Sequence, residues 1–152
     1  MKTLDQILID LGACEGARVW AKGKTIEEVI NTCHRGDWLL WLAKKVDVDF
    51  RLLTLAKGHC AATVLHLMKD ELSRKAVEVA IRYGEGNATD AELRAADAAA
   101  YAADAAAYAA DAAAYAADAA AYAAAKQANQ KATADICRKY LTEAIIEKIK
   151  AL

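Results

Sequence analysis

The sequence predicts an all-α protein: a compact multi-helix domain with a long Ala-rich C-terminal helix or helical hairpin. Three observations carry this. Proline is absent and only seven glycines occur in 152 residues, so breaks in regular structure are few. Apolar residues recur at three- and four-residue spacing through most of the chain. From Asp97 to Ala125 one heptad, Asp-Ala-Ala-Ala-Tyr-Ala-Ala, repeats with Asp at 97, 104, 111 and 118 and Tyr at 101, 108, 115 and 122. Alanine is the best helix former, and Asp and Tyr four apart share a face. The organisation expected is one domain over 1–152, with a short-helix core at 1–86, an Ala-rich helix at 89–126 and an amphipathic helix at 133–151.

Thr3 with Gln6 reads as a capping box opening a first helix to about Leu11, and Gly12 ends it. A second short helix, Ala13 to Ala21, gathers Cys14, Ala17 and Trp20 or Ala21 on one face, and Gly23 closes it. Thr25 and Glu28 form another capping box ahead of Ile26, Val29, Ile30 and Cys33. Gly36 breaks the chain and Asp37 is expected to cap Trp38 to Ala43, a segment apolar all round that predicts a buried helix. Asp47 is expected to cap a helix from Val48 to about Met68, buried through Phe50, Leu53, Cys60 and Val64. Asp70 or Ser73 opens a helix to Tyr83 that buries Leu72, Ala76, Val79 and Ala80. Gly84-Glu85-Gly86-Asn87 marks a turn, with Gly84 as the C-terminal cap. Thr89 and Glu92 then launch the Ala-rich helix.

No glycine or proline follows Asp90. A single helix from there to Ala151 would be about 90 Å long, much longer than a domain of this size is wide. The polar run 126–133 is therefore the expected hinge, with Ile136, Tyr140, Leu141, Ala144, Ile145 and Ile149 forming an amphipathic stripe beyond it.

The net charge of −1 speaks against a general nucleic-acid binder. Residues 90–125 carry one base and six acids, and residues 126–152 carry six bases and three acids, so these segments attract one another within or between chains. An Asp in every heptad makes the Ala tract too costly for lipid, so no membrane partner is expected. Cys14, Cys33, Cys60 and Cys137 have neither metal nor redox spacing. They suit reduced core thiols in a cytoplasmic protein.

Chemistry is sparse. Cys33-His34 and His59-Cys60 are adjacent pairs, but neighbours on a helix point about 100° apart, which disfavours a metal site built from both, less strongly at His34 if it falls past a helix end. Cys60 with His34, His59 or His66 lacks any marked oxyanion hole. No catalytic residue, metal site or cofactor is expected. The cationic and aromatic set says more: Arg51, Arg74, Arg82 and Arg138 lie in apolar helices, with Asp37, Trp38, Trp41 and Tyr83 as candidate neighbours. Arginine pairs bidentately with phosphate and aromatic rings stack on bases, so these residues are candidates for a nucleotide pocket. The bland alternative makes Trp38 and Trp41 core and pairs the arginines with nearby carboxylates. Tyr101, Tyr108, Tyr115 and Tyr122 are the candidate interface of a homo-oligomer formed through the Ala-rich helix.

Several stretches together carry a family resemblance: Gly12-Ala13-Cys14-Glu15, Arg35-Gly36-Asp37-Trp38-Leu39-Leu40-Trp41-Leu42, Arg51-Leu52-Leu53, Arg74 to Ala80 with Arg82-Tyr83, the Gly84 to Leu93 turn, the Ala tract, and Ala134 to Tyr140. Over nearly its whole length the chain resembles the small helical immunity-protein family of bacteria and phages. The resemblance implies a non-catalytic protein that binds and neutralises a protein toxin or effector. It implies no transferable active site. Two other readings stand beside it: a phage anti-defence protein sequestering a nucleotide immune signal, and a self-association scaffold.

Overall fold

The computed structural model describes residues 2–68, 70–97 and 119–152, with side chains from 126 onward in the last segment. Every regular element among them is helical: α1 (Leu4–Asp10), α2 (Glu15–Ala21), α3 (Ile26–Thr32), α4 (Gly36–Lys45), α5 (Phe50–Ala62), a 3₁₀ turn (Leu65–Leu67), α6 (Glu71–Gly84), α7 (90–97) and α8 (Ala119–Lys150). None of the described helices is long and apolar enough to cross a membrane.

Local capping chemistry explains most of the helix starts. Thr25 Oγ1 accepts from the Glu28 amide, and the Glu28 carboxylate accepts from the Thr25 amide, a complete capping box. Thr89 and Glu92 repeat the arrangement at α7. Thr3 caps α1 through the Gln6 amide, but the Gln6 side chain donates to Asp10 instead of reaching back. Asp70 accepts from the Ser73 amide and opens α6.

Two expected caps are displaced. Asp37 does not cap α4: Arg35 occupies the cap position, and Asp37 lies in the first turn, paired with the Arg35 guanidinium. Asp47 does not cap α5 either. It sits at φ 57°, inside the turn that follows α4, and Asp49 accepts from the Leu52 amide two residues later. α5 also stops at Ala62, earlier than its apolar pattern suggests, and Leu67 beyond it is exposed.

α8 organises the main core. Ala134, Cys137, Leu141, Ile145 and Ile149 repeat at three or four residues and are all buried, packing on α3, α4 and α5. Burial of Leu141 and Ile145 contributes about 2 kcal/mol each by area. α8 runs straight through 126–133, so the hinge expected there does not occur. Lys, Gln and Ala are good helix formers, and Asn129 is tied to the C-terminal cap of α5 by donating to Thr63 Oγ1 at 2.8 Å. The expected element boundaries at 126 and 133 thus fall inside one helix.

Glycine sets how closely two helix pairs approach, α4 with α8 and α5 with α6. A Cβ on Gly36 would lie 2.6 Å from the Thr133 carbonyl carbon and 2.7 Å from the Ala134 nitrogen of α8. One on Gly84 would lie 2.7 Å from the Leu55 Cα, and one on Gly58 would lie 2.8 Å from the Ile81 Cγ1 and 3.1 Å from its nitrogen, so α5 and α6 each bring a glycine against the other. Gly84 therefore serves packing. The left-handed turn expected of a C-terminal cap falls to Gly86, at φ 83°. α6 buries Val77, Val79 and Tyr83, while Leu72, expected inside, is 47% exposed. Val79 and Tyr83 join Ala88 and Leu93 in a small second core that seats α7 on α6.

Candidate functional site

The four short helices α1 to α4 enclose an open cavity of about 310 Å³. Residue spacing builds it. In α2 the three- and four-residue steps Cys14, Ala17, Trp20 and Ala21 turn one face inward. α4 answers with Asp37, Trp38 and Trp41, and Leu8, Val29, Cys33, Leu39 and Leu42 form the floor. All three tryptophans of the chain, Trp20, Trp38 and Trp41, are half-buried and line this cavity.

Each indole also carries a cation. Lys24 lies 4.5 Å from the Trp20 ring centroid, Arg35 4.7 Å from that of Trp38 and Lys45 5.8 Å from that of Trp41. Trp20 and Trp38 meet at 6.1 Å, with His34 edge-on to Trp20 at the same distance. Arg35 donates Nε and Nη2 to the two carboxylate oxygens of Asp37 at 2.8 and 2.6 Å. That bidentate bond holds the Asp37 carboxyl below its usual range, so Asp37 is charged at neutral pH. Cys14 is exposed at the wall, whereas Cys33 is buried and burial pushes its thiol up. The result is an apolar, aromatic pocket with a charged mouth, suited to holding an aromatic or aliphatic group.

Of the sequence-predicted site residues, Asp37, Trp38 and Trp41 come together here. The four arginines do not join them or one another, because each bonds to a main-chain carbonyl in a different place. Arg51 donates to the Tyr83 carbonyl at 2.7 Å and lies over the Tyr83 ring at 4.2 Å. Arg74 donates to Met68 at 2.8 Å, and Arg82 to Asn87 at 3.1 Å with Glu92 nearby. Arg138 donates to the carbonyls of Ile30 and Cys33, at 3.2 and 2.6 Å, and pairs with Asp135. It thereby closes the C-terminus of α3 from α8, placing positive charge where a helix end is negative. Tyr83 is buried against Phe50 and takes no part in the pocket. Tyr101, Tyr108, Tyr115 and the side chain of Tyr122 lie outside the described residues.

Arg138 makes a testable contrast with Arg74. Arg138→Met strands two largely buried carbonyls and should cost about 2 kcal/mol, a fall of about 6 °C in melting temperature. Arg74 is exposed, and Arg74→Met should leave the thermal circular-dichroism curve almost unmoved.

The adjacent Cys-His pairs diverge: His59 and Cys60 do so because they are neighbours within α5, while Cys33 and His34 lie past the end of α3. His59 stacks on Tyr140 at 4.9 Å, while Cys60 turns inward to Cys137. His34 is exposed beside buried Cys33. Among the described residues no group of three or more His, Cys, Asp or Glu side chains is arranged to hold a metal ion.

No family model matches the chain, and no curated protein or solved structure matches it.

Sequence reasoning misses Trp20 and Cys14 in the pocket lining, and Arg35 and Lys24 over its indole rings. The signal was present: Cys14, Ala17 and Trp20 share one face of α2, and Arg35 stands two residues from Asp37.

Proposed function

We propose that this chain is a non-catalytic binding protein that neutralises a protein toxin or effector in conflict between bacteria and phages, acting in the cytoplasm. The observation that carries the reading is the open pocket with three half-buried tryptophans. Aromatic residues at a solvent-facing, apolar cavity are the usual anchors of protein recognition, and a folded domain gains no stability by leaving such a cavity unfilled. The sequence resemblance to immunity proteins supplies the kind of partner. The engagement of Arg51, Arg74, Arg82 and Arg138 with main-chain carbonyls removes the motive for a nucleotide pocket built from them.

The test is co-expression with bacterial toxins of the kind immunity proteins neutralise, followed by titration of the purified pair. All three tryptophans line the pocket, so intrinsic fluorescence reports on it directly. Wild-type chain should restore growth and its emission should change on binding. Trp38→Ala should weaken the complex about 30-fold, the effect of losing an aromatic anchor worth about 2 kcal/mol. Growth that is never rescued, or affinity indifferent to Trp38 and Trp41 alike, would remove this reading.

A further inference from the structure

A pair of thiols lies apart from the pocket, in the core between α5 and α8. Cys60 and Cys137 are 77 residues apart in sequence, and their sulfurs are 3.9 Å apart. Both are buried, at 8% and 1% exposure. Each sulfur also faces one main-chain carbonyl: Cys60 that of Thr133 at 3.7 Å, and Cys137 that of Gly36 at 3.6 Å. The two thiols are thus held by their helices and aimed at each other. Nothing in the binding reading makes use of them.

We propose that Cys60 and Cys137 are a reversible redox modification site, which a hydroperoxide converts to an intramolecular disulfide joining α5 to α8. A disulfide needs its sulfurs about 2.0 Å apart, so closure from contact distance asks for about 2 Å of approach, shared by rotation about both side chains and a slight drawing together of the helices. Cys60 is the less deeply buried of the two, so an oxidant meets its sulfur first: Cys60 is the attacking group and Cys137 the resolving one.

The chemistry balances with the hydroperoxide as oxidant. The Cys60 thiolate attacks one peroxide oxygen and the O–O bond breaks. Cys60 becomes a sulfenic acid, and the other oxygen leaves as an alcohol, or as water from hydrogen peroxide, carrying the proton released by Cys60. The Cys137 sulfur then attacks the sulfenic sulfur. The S–S bond forms, and the hydroxyl leaves as water with the Cys137 proton. Two thiols lose two electrons, and the peroxide gains them. A thiol reductant restores the pair.

Oxidation would reach beyond the two residues. It removes the S–H groups that face Thr133 and Gly36, at the point where the start of α4 presses on α8. Asp37 and Trp38 of the pocket follow Gly36 directly in α4.

The experiment uses the full chain carrying Cys14→Ser, which removes the exposed thiol and with it disulfides between molecules. The reduced, folded protein is treated with hydrogen peroxide, its remaining thiols are alkylated under denaturing conditions, and its peptides are mapped by mass spectrometry. The expected result is a linked peptide joining Cys60 to Cys137 as the main product, with Cys33 alkylated and the link lost on treatment with dithiothreitol. Cys60→Ser and Cys137→Ser should each abolish it. Recovery of both thiols fully alkylated, a link to Cys33, or Cys60 carried to the sulfinic acid without a link would each overturn the proposal. The mapping needs no partner, so its result stands apart from that of the toxin test.

Discussion

Gly36→Ala should lower the melting temperature by about 10 °C. The reason is backbone against backbone. The added methyl would meet the carbonyl carbon of Thr133 at 2.6 Å and the nitrogen of Ala134 at 2.7 Å, and neither atom can rotate away. Overpacking of a core costs about 1–3 kcal/mol, and a contact that must push two helices apart belongs at the upper end. At about 3 °C per kcal/mol for a domain of this size, that gives the stated fall. Trimming the neighbour should not help: Thr133→Ala removes the contact with Oγ1, but Gly36→Ala with Thr133→Ala should melt about as low as Gly36→Ala alone, since the main-chain clashes remain. Gly16→Ala is the opposing control. Gly16 lies inside α2, and a methyl there meets only Trp38, at 3.9 Å. It should stabilise the protein by about 0.5–1 kcal/mol through helix propensity. Thermal circular dichroism on the four proteins decides the matter.

Leu141→Ala should cost about 3–4 kcal/mol. Leu141 is fully buried midway along the α8 stripe, where that helix meets α3, α4 and α5. Truncation loses the transfer free energy of the removed carbons and leaves a cavity that three crossing helices cannot collapse around. Urea unfolding should show a lower midpoint with an unchanged slope, the mark of a less stable but equally compact native state. Leu152→Ala, at a residue 59% exposed, should change the midpoint by no more than about 0.5 kcal/mol. Equal midpoints for the two variants would show that α8 does not organise the core.

What the sequence disclosed and what it concealed divide by range. The Thr25–Glu28 and Thr89–Glu92 boxes are interactions over three residues, and both were readable in advance. The divergence of His59 from Cys60 followed from helix geometry alone. Leu141, Ile145 and Ile149 of the α8 stripe followed from periodicity, whereas Ile136, Tyr140 and Ala144 are only half-buried and Ala134 and Cys137 take the buried places beside them. The caps at Asp37 and Asp47 misled because rival local partners stood close by: Arg35 took the first carboxylate, and Asp49 lay nearer the start of α5 than Asp47. The polar run at 126–133 resembles a hinge because it interrupts the apolar pattern, yet its residues propagate a helix well and Asn129 bonds to the C-terminal cap of α5.

The arginines were hidden for a different reason. Arg51 reaches a carbonyl 32 residues away, and Arg138 reaches two that are more than a hundred away. No spacing rule anticipates such bonds, so four side chains that stabilise the fold resembled a ligand set. The pocket was half legible. Trp38 and Trp41 were singled out, but Trp20 entered only once α2 was seen to pack against α4.

The seat of α4 on α8 also bears on the order in which the chain can fold during synthesis. Gly36 meets Thr133 and Cys33 meets Arg138, so the faces of α3 and α4 that α8 covers have no cover until about a hundred further residues have been made. At roughly 5–20 residues per second, a growing chain waits for about 5 to 20 seconds with that apolar surface bare. Contacts so distant in sequence also slow closure once all the residues are present. In a protein so rich in helix, the last long helix acts as the latch, and the nascent chain stays dependent on its surroundings until that helix leaves the ribosome.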